Sequence, residues 1–165
     1  MRNSQEVIGL SVIHLKSGKK MGTVTDLLFN EQQKFQGILL ETDGFFHKRK
    51  FAPADHIQIG QDAVMIQHGD AIQPLRSEIE SYTGILSGKK KLRGQAFMLS
   101  DGREIGLIEN VYFMEELGTL IGYEVSEGLI HDFRYGRKLV QATEPLLWGD
   151  DVCIASADHV RIKDK

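Results

Sequence analysis

Residues 18–29 read GKKMGTVTDLLF and residues 102–113 read GREIGLIENVYF, so one pattern of glycines and apolar residues occurs twice. The copies are offset by 84 residues, which is too long for the unit of a solenoid and suits a small domain. In each copy β-branched and aromatic residues follow the second glycine, as is typical of a strand. The repeat therefore predicts two copies of one β-rich unit in this chain of 165 residues.

The repeat continues beyond these strands. A second apolar strand follows each copy, with Gly37 and Gly122 in matching positions 85 residues apart, and RKFA at 49–52 matches RKLV at 137–140 at an offset of 88. Turn residues at short spacing indicate antiparallel strands in each half. We therefore predict an all-β chain with a first domain at 1–70, a connector at 71–90 and a second domain at 91–165.

The connector carries a helical signal. Pro74 suits the first turn of a helix, and the stretch at 87–91, SGKKK, is typical of an exposed basic turn. The apolar residues that recur at helical spacing are Ile72, Leu75, Ile79 and Tyr82. A short connector helix is predicted here. Each half alone is near the size at which one core is only marginally stabilising, so we expect the halves to pack together or against a second chain.

The order of glycines and strands in the two copies resembles the PRC-barrel family. In each copy an opening glycine precedes a glycine turn, and a second glycine then leads into a strand that ends near Asp26 or Asn110. The segment at 51–64 is similar to the family's closing segment, and the resemblance covers residues 5–67 and 91–162. The family includes the photosynthetic reaction-centre H subunit and the C-terminal domain of the ribosome-maturation factor RimM. The resemblance implies two tandem PRC-type β-barrels and a role in protein binding or assembly.

Charge and composition narrow the choice of function. The net charge of −3 argues against a molecule that binds nucleic acid or anionic lipid over its whole surface. A single cysteine suits a reducing compartment, and the first residues lack the apolar segment of a secretory signal. No apolar run approaches the length of a membrane span. We expect a cytoplasmic protein without an integral membrane segment.

Catalytic chemistry finds little support. Cys153 lies between two apolar residues, where a cysteine normally acts as a small hydrophobe. The six histidines are scattered without metal-ligand spacing, and most acidic residues lie in predicted turns. The loop at 84–90 has three residues between its glycines where a phosphate-binding P-loop needs four. We predict no catalytic residues, metal or cofactor, and an enzyme of unknown class is the least favoured alternative.

Apolar residues in predicted turns are the strongest signal for binding. Phe45 and Phe46 follow a hairpin-like turn, and the second copy has Leu129 and Ile130 there. Two interpretations are open: a contact between the barrels, which matching apolar edges favour, or anchors for a protein partner. We predict a non-enzymatic adaptor that binds an unidentified protein, with a homodimer as one form.

An RNA-processing or ribosome-assembly factor is the alternative function. Its contacts would come from Arg49 and Lys50 in the first copy and from Arg137 and Lys138 in the second. Such clusters bind nucleic acid when they are joined on one face beside stacking aromatics. The short runs and the acidic balance favour solvated faces instead. The longer segment at 128–138 is peculiar to the second copy, so a specific function is expected there.

Overall fold

The computed structural model describes residues 1–116 and 118–164. In the first half, strands and one short helix follow in the order β1 Arg2–Asn3, α1 Ser4–Val7, β2 Ser11–His14, β3 Lys20–Phe29, β4 Phe35–Glu41, β5 Arg49–Pro53, β6 Ile57–Ile59 and β7 Ala63–Ile66. The connector contributes β8 Gln73–Pro74, α2 Ser77–Glu80 and β9 Thr83–Gly84. The second half contains β10 Ala96–Leu99, β11 Glu104–Met114, β12 Thr119–Ser126, α3 Leu129–Tyr135, β13 Lys138–Ala142, β14 Leu147–Trp148, β15 Val152–Ala155 and β16 Val160–Asp164.

The two halves form sheets with the same strand order. One sheet runs β6-β7-β2-β3-β4-β5-β8 and the other runs β14-β15-β10-β11-β12-β13-β16. Most pairs are antiparallel, but β2 with β7 and β10 with β15 are parallel, and the paired strands are far apart in the chain, as parallel pairing requires. The predicted all-β class and its duplication are confirmed.

Each sheet gains one strand from the segment that precedes the other half. Strand β1, at the start of the chain, pairs with β11 of the second sheet, with Arg2 opposite Phe113. Strand β9, in the connector, pairs with β3 of the first sheet, with Thr83 opposite Phe29. This reciprocal exchange of strands links the two halves to each other. The domain boundaries at residues 70 and 91 stay a prediction.

Repeated glycines allow neighbouring strands to approach closely. A Cβ atom on Gly22 would lie 2.4 Å from the carbonyl oxygen of Glu41, and one on Gly106 would lie 2.3 Å from that of Ser126. Real Cβ atoms do not approach a carbonyl oxygen this closely. The glycines of the repeat are therefore needed for the fold of each sheet.

One apolar core runs through both halves. Phe113 lies edge-on to Phe29 at 6.2 Å between ring centroids and 5.4 Å from Phe35, while Trp148 lies 6.5 Å from Phe29. The backbone N–H of Phe35 donates to the carbonyl of Gly118 at 2.9 Å, next to this aromatic cluster. The expected packing of the halves against each other is confirmed.

The predicted short connector helix is present, but it begins later in the chain than predicted. Its residues are Ser77–Glu80, and Pro74 lies in β8 beside Lys50 instead of starting the helix. The pairing of β8 with β5 extends the sheet, and this tertiary contact outweighs the local helical pattern. The helix still covers a small apolar cluster outside the barrel core, composed of Leu28, Leu39, Phe51 and Ile79 with Leu75 and Tyr82 against it. Residues 88–91 are exposed, as predicted for a basic turn.

Candidate interaction surfaces

The loop between β4 and β5, residues 42–48, is called the first tip here. A backbone hydrogen bond from Thr42 to Lys48 of 2.9 Å closes the loop. Phe45 and Phe46 are 94% and 75% exposed, and their rings meet edge to face at 5.4 Å. The two rings therefore contact each other and not the core.

The segment between β12 and β13, residues 127–137, is called the second tip and contains α3. Leu129 is 88% exposed, Ile130 is 83% exposed and Phe133 is 95% exposed. Positions separated by three and four residues lie on one face of a helix, so these side chains form one apolar face. Phe133 was not among the predicted anchors, although its spacing from the other two is helical.

Polar contacts decide which face of α3 looks outward. The carboxylate of Asp132 accepts hydrogen bonds from the Ser126 hydroxyl at 2.5 Å and from the Glu127 N–H at 3.2 Å. It also lies 3.5 Å from Nε of Arg137. These bonds hold the polar side of the helix against the barrel, so its apolar side faces solvent.

The two tips lie at the ends of strands that start at the contact between the halves. Strand β4 begins at Phe35 in the aromatic cluster, and β12 begins at Thr119, which is bridged to Lys34. Seven or eight extended residues span roughly 25 Å at about 3.3 Å per residue. The four predicted side chains at the tips are each at least 75% exposed, so the interpretation of a contact between the barrels through them is wrong.

A buried carboxylate lies beneath the second tip. Glu124 is 1% exposed, and its oxygens accept hydrogen bonds from Arg137 at 2.6 Å and from the side-chain amide of Asn3 at 3.0 Å. The hydrogen bond to Glu124 raises the pKa of Arg137 above its usual value. The matching position in the first half is Leu39, which belongs to the apolar cluster under α2. The equivalent faces of the two halves thus differ in chemistry.

The basic residues predicted as nucleic-acid contacts are divided between the two halves. Arg49 and Lys50 follow the first tip, whereas Arg137 and Lys138 lie at the end of the second. Arg137 is bonded to Glu124, and Nζ of Lys138 lies 2.9 Å from a carboxylate oxygen of Glu127. Half of the proposed positive charge is therefore neutralised within the protein.

The loop at 84–90 is an anion cradle that the protein fills itself. Asp26 is fully buried in β3, and its carboxylate accepts the backbone N–H of Ile85 at 2.9 Å and that of Ser87 at 2.9 Å. The N–H of Leu86 donates to both oxygens at 3.2 Å. A phosphate would have to displace this carboxylate from the backbone N–H groups of the loop. The contacts therefore agree with the interpretation that the loop is not a P-loop.

Reactive groups are dispersed in the described part of the chain. Cys153 is buried as predicted, its thiol donates to the Gln95 side chain at 3.3 Å, and burial raises its pKa to about 11. Across residues 1–116 and 118–164, no group of three His, Cys, Asp or Glu side chains is placed to hold a metal ion.

A cleft of about 500 Å³ lies between the halves. Among its described lining residues, Glu31 is the one carboxylate, and it lies beside Lys89 and Lys90. No helix in the described residues has the length and apolar character needed to cross a membrane.

Comparison with known proteins supports the fold assignment. The model of the PRC-barrel domain family matches residues 1–71. A Bacillus subtilis (strain 168) protein named "Uncharacterized protein YrrD" is 22% identical over 150 residues, which cover 89% of this chain and 82% of the relative. The second sheet repeats the strand order of the first. Residues 1–71 of this chain are a PRC-barrel domain, and the second half has the same topology.

Proposed function

We propose that this protein is a non-enzymatic adaptor that binds a protein partner through the apolar side chains of its two tips. The observation that carries the proposal is the exposure of Leu129, Ile130 and Phe133 on one face of α3. Burying one such side chain yields about 1.5–3 kcal/mol, so a rigid helix face with three of them is a favourable binding surface. Phe45 and Phe46 supply a smaller apolar surface at the equivalent hairpin.

The anchoring of α3 favours binding over a merely tolerated exposed helix. Asp132 fixes the helix to the barrel, so its apolar face is already ordered before a partner arrives. Less conformational entropy is lost on binding when the surface is ordered beforehand. The PRC-barrel resemblance points to the same class of function, as a fold-level argument.

Nucleic-acid binding is the weaker candidate. Arg137 and Lys138 already bind carboxylates of the protein, and the remaining pair lies at the other tip. A cytoplasmic location is proposed with the adaptor function, because a lone cysteine suits a reducing compartment.

The experiment compares capture of partners by tip variants. Tagged protein is used as bait in native lysate beside Phe133→Asp and Phe45→Ser/Phe46→Ser, with Leu147→Asp as the control for an exposed apolar residue outside the tips. We expect one set of proteins to be retained by wild type and by the control, and lost with a tip variant. Sedimentation velocity distinguishes a second copy of the chain from a different partner. Equal capture by all variants, with a monomer throughout, would exclude the tips as the binding surface.

A further inference from the structure

The outer side of β16 is an open sheet edge in the described residues. Strand β16 pairs with β13 and is the last strand of its sheet. Its counterpart in the first sheet, β8, has only two residues, and one of them is Pro74, which has no N–H to offer. The second half therefore leaves open an edge that is blunted in the first.

The phase of the β13–β16 ladder shows which backbone groups point outward. Thr143 donates its N–H to the carbonyl of His159 at 3.0 Å, in the register that continues along the two strands. Bonded and non-bonded pairs alternate in an antiparallel ladder, so the backbone groups of Arg161 and Lys163 face β13. The residues whose N–H and C=O groups point away from the sheet are Val160, Ile162 and Asp164.

The side chains of β16 divide by face. Ile162 lies opposite the buried core residue Val140, so its side chain is on the core side of the sheet. Arg161 and Lys163 lie on the other face and are exposed. Neither of these two makes an ion pair with any residue that the structure describes. The edge thus presents two uncompensated positive charges two residues apart, with an apolar side chain between them.

We propose that this edge binds an extended acidic segment of another protein, which adds to β16 as an antiparallel strand. The outward N–H and C=O groups supply the backbone hydrogen bonds of strand addition. Acidic side chains at alternate positions lie opposite Arg161 and Lys163, and an apolar side chain lies opposite Ile162. The proposal does not depend on the two tips.

A second copy of the chain does not fit this edge. With β16 antiparallel to itself and centred on Ile162, Arg161 lies opposite Lys163 of the other copy. A shift by one residue pair places Arg161 opposite Arg161, or Lys163 opposite Lys163. Like charges directly opposite each other destabilise a strand pair, whereas opposite charges stabilise it.

The test uses an acetylated and amidated octapeptide in which Glu alternates with Val and Thr, and a control peptide with Lys in place of Glu. Binding to the full chain is measured by titration calorimetry and by backbone amide shifts. We expect the Glu peptide to bind at least about tenfold more tightly than the Lys peptide, from two charge pairs. The shifts should concentrate in β16 and β13. In Arg161→Glu/Lys163→Glu the preference should reverse.

A backbone variant tests strand addition separately from charge. Ile162→Pro removes one outward N–H and leaves the hydrogen bonds to β13, so it should abolish binding of the Glu peptide while Ile162→Val retains it. The charge-reversed variant keeps the proposal testable if the proline variant fails to fold. No binding of the Glu peptide, or equal binding to the charge-reversed variant, overturns the proposal. Arg161 and Lys163 would then serve only to protect the edge from pairing.

Discussion

Asp26 and Asn110 occupy equivalent positions in β3 and β11, and each accepts hydrogen bonds from the segment that leads into the other half. Asp26 binds the backbone N–H groups of residues 85–87, just before the second barrel. Asn110 accepts from the hydroxyl of Ser4 at 3.0 Å, just before the first barrel. Each half has one buried carboxylate in this strand pair, but on a different strand. In the first half Asp26 of β3 lies opposite Leu39, whereas in the second half Asn110 of β11 lies opposite Glu124 of β12. These contacts accompany the exchange of β1 and β9, so the two halves are expected to unfold together.

Removal of the Asp26 carboxylate should destabilise the whole chain. Asp26→Ala leaves the N–H groups of residues 85–87 without their acceptor, and we expect a loss of about 3–5 kcal/mol in the free energy of unfolding. Urea denaturation followed by Trp148 fluorescence, which reports the contact between the halves, measures the loss. Asp26→Asn keeps one acceptor oxygen and should lose less. A loss below 1 kcal/mol for Asp26→Ala, or separate transitions for the halves in the wild type, would contradict this account.

Arg137 should matter chiefly because it compensates the charge of Glu124. Arg137→Met leaves a buried carboxylate without its cation, and the expected cost is about 3 kcal/mol. Glu124→Gln/Arg137→Met removes both charges and should recover at least half of that cost. A double-mutant cycle with chemical denaturation measures the coupling free energy between Glu124 and Arg137. Additive losses, with no recovery in the double variant, would show that the ion pair is not the reason for the effect.

The close approach at Gly22 predicts a sharp cost for one methyl group. Gly22→Ala places a Cβ against the backbone of β4, which cannot move as a flexible side chain would, so we expect a loss of about 2–3 kcal/mol. Gly106→Ala should behave alike in the second half. Gly69→Ala is the matched control, since its nearest contact is the end of the Met21 side chain at 3.4 Å. Thermal denaturation of the three variants should give lower Tm values for Gly22→Ala and Gly106→Ala than for Gly69→Ala. Equal Tm values for Gly22→Ala and Gly69→Ala would contradict this prediction.

The repeat allowed the fold to be predicted because backbone sterics leave a direct trace in sequence. Positions 22 and 106 require glycine because a carbonyl oxygen of the neighbouring strand leaves no room for a side chain. Such positions recur in every copy of the unit. The exchange of β1 and β9 leaves no such trace. Each of these strands has two residues, and β1 pairs with residues 112–113, far along the chain.

The candidate surfaces were predicted only in part. Apolar residues beside turn signals identified Phe45, Phe46, Leu129 and Ile130, but did not show that these side chains are exposed, since exposure depends on how the two halves pack. Helix α3 was missed because its seven residues are few for helical periodicity, and its position depends on Asp132 bonding outside the helix. The open edge of β16 follows from comparison with β8, which requires the sheet order.

The buried thiol of Cys153 predicts how stability changes in alkali. Burial raises its pKa to about 11 from an ordinary value of 9.0, so between these pH values the unfolded chain releases a proton that the folded chain keeps. Stability from this group is therefore present below pH 9 and is lost as the pH rises towards 11. Urea denaturation at a series of pH values should show a steeper decline for the wild type than for Cys153→Ala. The native thiol should also react slowly with a disulfide reagent at pH 8 and rapidly in urea. Parallel pH profiles, or fast reaction of the native protein, would show that this thiol is reached by solvent.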